Sequence, residues 1–191
     1  MSATEPRPLR ADARRNRERI LDAARELFAE NGQATQMDDI ARHACVGVGT
    51  VYRHFPTKDV LLGELMATKF RNHIEVARRW AEQEDDGWAA FEGFLRESWA
   101  TMARDAAQQR MMWTVPASAL EYADAARAEL SAVIGEMIAR AQKAGTMTTT
   151  FTVDDMPALM CAVGSVMSAD VRPVQSWQPV AELLLAGLRA R

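Results

Sequence analysis

Residues 37–58, MDDIARHACVGVGTVYRHFPTK, constrain the fold more than any other part of the chain, because they hold two short helical patterns separated by three residues. Ile40, Ala41 and Ala44 recur at helical spacing and bury one face. Asp38 and Asp39 lie in the first turn, where the positive end of the helix dipole favours carboxylates. The spacing predicts a helix over 37–44. Cys45, Val46 and Gly47 then form a turn, with Val46 the large apolar residue that plugs the angle between two helices. A second helix over 48–54 turns Val51 and Phe55 to the core and leaves Val48, Gly49, Thr50, Tyr52, Arg53 and His54 outward. Pro56 stops it, and Thr57 caps the next helix with Lys58 beside it.

The outward set is rich in groups that suit phosphates and base edges. Gly49 removes bulk at the leading end, so that backbone N–H groups can approach a phosphate. Thr50 and Tyr52 supply hydroxyls, Arg53 a planar fork for guanine or phosphate, His54 a ring donor and Lys58 a further cation. An ordinary helical hairpin would not need this concentration of polar groups beside a basic segment. That segment carries Arg7, Arg10, Arg14, Arg15, Arg17 and Arg19, diluted by Glu5, Asp12 and Glu18. Pro6 and Pro8 predict that it begins as an extended arm, able to track phosphates or enter a minor groove. The chain as a whole has a net charge of -3, so basic charge is concentrated rather than general.

Several of these motifs, in this order and spacing, resemble the DNA-binding domain of the TetR (tetracycline-repressor-like) family of bacterial transcriptional regulators. ILDAARELFAENG resembles the family's first helix, MDDIARHA its second, VGVGTVYRHF its recognition helix, and PTKDVLLGEL the start of a long fourth helix; the similarity covers Arg17 to about Leu65. The resemblance implies an all-α fold, with an N-terminal three-helix helix-turn-helix domain and a C-terminal helical domain for ligand binding and dimerisation. It implies DNA contacts from Gln36, Met37, Gly47, Val48, Gly49, Thr50, Tyr52, Arg53, His54 and Lys58, to which the charge of the basic segment adds Arg14 and Arg17. Cys45 departs from the family's usual glycine, and Gly47 from a common serine. The expected organisation is a disordered basic arm over 1–13, the helix-turn-helix domain over 14–56, and the effector-binding and dimerisation domain over 57–191.

From Thr57 a helix can run without proline to about Trp80, roughly 35 Å at about 1.5 Å per residue, as a lever between two domains. Phe91, Phe94, Leu95, Trp99 and Met102 recur at helical spacing in the next helix. Leu120, Leu130, Val133, Ile134, Met137 and Ile138 mark a further one, closed at Gly145. Thr152 with Asp155 resembles a capping box and opens a helix to about Ala169, on which Ala158, Ala162, Ser165 and Ala169 form a strip of small residues. Ser176 caps a final helix striped by Trp177, Val180, Leu184 and Leu188. These two strips suggest a four-helix dimer interface, as the family's last two helices form.

The 11 Met and 5 Trp, many of them after the lever, can line an adaptable apolar cavity. Met66, Trp99, Met102, Met112, Trp113 and Met137 are the candidate lining residues, and a small-molecule effector is the implied partner. The expected function is a homodimeric repressor that binds double-stranded DNA at a palindromic operator and is released by a small, largely apolar ligand. The alternative is a regulator responding through its cysteines, Cys45 or Cys161, or one with no effector. An enzyme is not expected, because no phosphate loop, nucleophile elbow or zinc spacing accompanies Asp38, Asp39, His43 and His54. No cofactor and no metal are expected. With two distant cysteines, no signal-peptide pattern and no apolar run of membrane length, a cytoplasmic protein is expected.

Overall fold

The computed structural model describes residues 7–104, 115–168 and 176–190. Among them, regular structure is helical: α1 Arg7–Asn31, α2 Met37–His43, α3 Val48–His54, α4 Lys58–Gln83, α5 Gly87–Arg104, α6 Ala117–Leu120, α7 Asp124–Lys143, α8 Met156–Ser168 and α9 Gln178–Leu188. None of these is long and apolar enough to cross a membrane. The all-α expectation is therefore met, and α3 has the bounds its sequence pattern predicts. Two expectations are corrected. Residues 7–13 are helical rather than an extended arm, because a proline at the second helical position, Pro8, lies where the N–H has no intrahelical partner to lose. Leu120 belongs to the separate short helix α6, not to α7.

The chain divides into two compact units, Met1–Met66 with Arg110–Tyr122, and Ala67–Gln109 with Ala123–Arg191. The first extends past the expected boundary at 56, because Leu61, Leu62 and Leu65 of α4 join Ile20, Phe28, Ile40, Val51 and Phe55 in one core. Ala119 of α6 is buried in the same core. Gly63 makes that possible: a Cβ there would lie 2.5 Å from the Ala119 carbonyl oxygen and 2.5 Å from the Tyr122 Cβ. Ser118 also donates to Asp59 at 2.7 Å. Thr57 caps α4 as expected, its Oγ1 accepting the Val60 N–H at 3.2 Å.

The second unit packs Trp88, Phe91, Phe94, Leu95 and Trp99 of α5 against Ile134, Met137, Ile138 and Ala141 of α7, with Leu159, Val163, Ala181 and Leu185 from α8 and α9. α7 closes at Gly145 in a left-handed conformation (φ +72°), where Gly145 N–H donates to Gln142 O and Thr146 N–H to Ala141 O, both at 3.0 Å. The Thr152–Asp155 box forms as expected, with the Thr152 N–H 2.8 Å from the Asp155 carboxylate. Ser176 is only a loose cap: its Oγ accepts the Gln178 N–H at 3.4 Å, and Trp177 rather than Ser176 is the residue that precedes α9. The chain end is tied back by Thr148 N–H to Leu188 O (2.9 Å) and Ala190 N–H to Thr146 O (3.1 Å).

Candidate nucleic-acid interface

The turn between α2 and α3 is a helix stop made of backbone hydrogen bonds. Cys45 N–H donates to Arg42 O at 3.1 Å and Val46 N–H to Ala41 O at 3.0 Å, which requires Cys45 to adopt a left-handed conformation (φ +51°). Val46 then packs on the core, as its place in the sequence predicts. Arg19 of α1 donates to the Cys45 carbonyl at 3.2 Å and so ties the turn to the first helix. Gly47 precedes α3 in an extended conformation, and Thr50 N–H donates to its carbonyl at 2.8 Å.

With Val51 and Phe55 buried, α3 presents Val48, Gly49, Tyr52 and Arg53 to solvent, with Gly47 exposed just before it and Thr50 and His54 half-buried. Tyr52 is 46% exposed, one of the large apolar side chains open to solvent among the described residues. Arg53 lies along its own helix: Nε donates to Gly49 O at 3.0 Å and Nη2 to Thr50 Oγ1 at 3.1 Å, which holds the guanidinium on the outer face. Gln36 is exposed at the start of α2, its N–H 3.4 Å from the Asp39 carboxylate.

Other expected contacts are placed differently. Met37 is buried (7% exposed) with Ile40 and Ala41, because as the first residue of α2 it falls on that helix's core face; its side chain is not on the outer surface. Arg17 is paired with Glu64 at 2.8 Å and its guanidinium lies 5.5 Å from the Phe55 ring centre, a packing role between α1 and α4. Lys58 donates to the Gln33 carbonyl at 2.5 Å and stands over the Phe28 ring. Arg14 is exposed, with Glu18 at 3.8 Å.

In the second unit, Trp99, Met102 and Met137 fall in one apolar cluster, and Met66 lies in the first unit. Met112, Trp113 and Ala169 lie outside the described residues. An open cleft of about 520 Å³ lies elsewhere, between α1 and α2, lined by Leu27, Thr35, Asp39, Arg42 and His43 among others. Ala158, Ala162 and Ser165 are exposed on α8, whereas Trp177, Leu184 and Leu188 pack partly on the unit's own core. The exposed large apolar residue of α9 is Leu183, at 74%. Sequence periodicity singled out Leu184; the run Leu183-Leu184-Leu185 was the available signal, since three consecutive helical residues cannot share one buried face. Among the described residues, no His, Cys, Asp or Glu cluster is placed to hold a metal.

Residues 20–65 match the model for bacterial regulatory proteins of the tetR family, and residues 86–190 that for the C-terminal domain of SbtR-like transcriptional regulators. The HTH-type transcriptional regulator UidR of Escherichia coli (strain K12) is 35% identical over 75 residues; the match covers 35% of this chain and 38% of that relative's length. The crystal structure of a TetR transcription regulatory protein from Mycobacterium vanbaalenii is 34% identical with a TM-score of 0.62, covering 96% of this chain and 100% of that one. FadR from Thermus thermophilus, a TetR-family transcriptional repressor in complex with lauroyl-CoA, is 25% identical with a TM-score of 0.60, covering 92% and 96%. FadR from Bacillus subtilis in complex with stearoyl-CoA is 18% identical with a TM-score of 0.71, a likeness of fold that covers 90% and 98%.

Proposed function

Because the chain belongs to the TetR family of bacterial regulatory proteins, and is thus a helix-turn-helix transcriptional regulator rather than an enzyme, we propose that it acts in the cytoplasm as a homodimeric repressor of a palindromic operator, released by a small, largely apolar ligand. The observation that carries this reading is the outer face of α3, where Gly47, Val48, Gly49, Tyr52 and Arg53 are exposed around a buried Val51. That helix enters the major groove, with Thr50, Tyr52, Arg53 and His54 toward base edges and phosphates, and with Arg14, Gln36 and Lys58 toward the flanking backbone. One such helix reads only a few base pairs. Two, about 34 Å apart in a two-fold dimer, read successive major grooves on one side of the duplex.

The dimer forms through the exposed small residues Ala158, Ala162 and Ser165 of α8 and the exposed Leu183 of α9. The effector enters the second unit beside Trp99, Met102 and Met137. The lauroyl-CoA complex of the Thermus thermophilus repressor supports a ligand with a long apolar part. Effector binding reorients α4, whose first turns belong to the DNA-binding unit and whose remainder belongs to the effector unit. A ligand can shift such an equilibrium only by its differential affinity for the two states, typically about 1–3 kcal/mol.

The test is selection from a random duplex DNA pool at near-physiological salt, with wild type and a Tyr52→Ala/Arg53→Ala variant. Enrichment of a palindrome with half-sites about one turn apart, lost in the variant, supports the reading. Equal retention of the same DNA by both proteins refutes the assignment to α3.

A further inference from the structure

Five tryptophans lie in the chain, and their indole N–H groups are not treated alike. Trp80 Nε1 donates to Glu97 at 2.9 Å and Trp88 Nε1 to Glu92 at 2.6 Å. Trp99 is 0% exposed, yet its Nε1 has no hydrogen-bond partner among the described residues. A buried donor left unpaired is a substantial penalty, and buried polar groups in native proteins are seldom left so unless something else supplies the partner.

We propose that the Trp99 indole N–H is the donor that recognises the effector, and that the effector is an uncharged, largely apolar molecule presenting a carbonyl or ether oxygen to it. This rests on the effector reading above. An indole nitrogen only donates, so its partner must bring an acceptor. The surroundings specify the rest of the molecule. Trp99 stands edge-on to Trp177 at 6.5 Å between ring centres and belongs to the apolar core of the second unit. Among the described residues no cation is fully buried to accompany a carboxylate or phosphate. Ser98 is already engaged with His73 Nδ1 at 3.3 Å. Burial, and secondarily the charge of the half-buried Lys69, hold the His73 imidazole down at about 4, so at neutral pH His73 itself is uncharged.

The experiment uses the full-length protein, labelled with nitrogen-15, and four probes: 2-undecanone, undecane, undecanoate and lauroyl-CoA. The Trp99 indole resonance is identified by its loss in Trp99→Phe and, independently of whether that variant folds, by elimination after Phe replacement of the other tryptophans. The expected result is that 2-undecanone moves the Trp99 indole proton downfield and binds wild type about tenfold more tightly than Trp99→Phe. Undecane then binds both proteins alike, and undecanoate leaves the Trp99 resonance in place. Equal affinity of 2-undecanone for both proteins, with other resonances moving, overturns the Trp99 assignment and leaves the effector reading standing. Tight binding of undecanoate or lauroyl-CoA with a shifted Trp99 resonance overturns the uncharged class alone. Failure of all four to bind wild type overturns the assignment together with the apolar-effector reading.

Discussion

Cys45 sits at the left-handed position that ends α2, a conformation in which a β-carbon crowds the following carbonyl and glycine does not. The two backbone bonds that stop the helix hold it there regardless. Replacing Cys45 by Gly relieves a strain of about 1–2 kcal/mol and adds unfolded-chain entropy worth about 0.4–1 kcal/mol, so the variant is expected to gain about 0.5–1 kcal/mol. Urea unfolding followed by circular dichroism measures this; a lower midpoint at unchanged slope refutes it. His73 makes the second prediction at this scale. Burial first, then Lys69, lower it from its ordinary 6.5 to about 4. Between those values the unfolded chain takes up a proton that the folded chain does not. Stability is therefore complete above about pH 6.5 and falls as the pH drops toward 4. Glu92 is also shifted down. Burial, which raises it, is outweighed by hydrogen bonds from Arg96, Trp88 and Arg189, so its stabilising effect is lost only below the ordinary carboxylate value of 4.5. Melting temperatures of wild type and His73→Gln between pH 7 and 5 separate the two. The variant is expected to show a flatter decline there, and a parallel decline removes His73 as the cause.

Helices in the second unit approach one another through glycine. A Cβ on Gly87 at the start of α5 would lie 2.5 Å from the Ala141 backbone nitrogen, and backbone cannot yield as a side-chain tip can. Gly87→Ala is expected to destabilise by about 1–3 kcal/mol through overpacking. Gly135, in the middle of α7, has nothing within 4 Å of its virtual Cβ. Gly135→Ala is therefore expected to stabilise by about 0.5–1 kcal/mol through helix propensity alone. Calorimetric melts of the pair should move in opposite directions; movement in the same direction would show that α5 and α7 are not held at this approach. Neither glycine shows in the sequence whether another helix lies against it, since close approach by a distant element leaves no local signature. What was legible was periodic or local: the bounds of α3, the Thr57 and Thr152 caps, Gly145, and the burial of Val51 and Phe55. Leu120 was misassigned because a residue at the end of a short helix has too few neighbours for its element to be read from spacing. The helical start at Arg7 was hidden by prolines, which forbid a helix interior but not its first turn.

A chain of net charge -3 is repelled by DNA as a whole, so any attraction has to come from a few cations held on one surface. The described residues supply three on the proposed face, Arg14, Arg53 and Lys58, and Lys58 must first release the Gln33 carbonyl. If each contacts a phosphate in both protomers, the logarithm of operator affinity should fall with the logarithm of salt at a slope of about -5. Raising salt from about 50 to about 200 mM should then weaken binding on the order of a thousandfold. Arg53→Ala and Lys58→Ala each remove a pair of contacts by symmetry and should each flatten the slope by about 2. The symmetry is itself open to measurement, because Leu183→Glu places a charge on the exposed apolar face of α9, far in sequence from any proposed DNA contact. Sedimentation of that variant should show monomer, with intact helicity and operator affinity greatly reduced although α3 is unaltered. A Leu183→Glu protein that remains dimeric, or a monomer that binds the operator as tightly as wild type, would dissociate DNA reading from this interface and with it the two-fold geometry that links α3 to a palindrome.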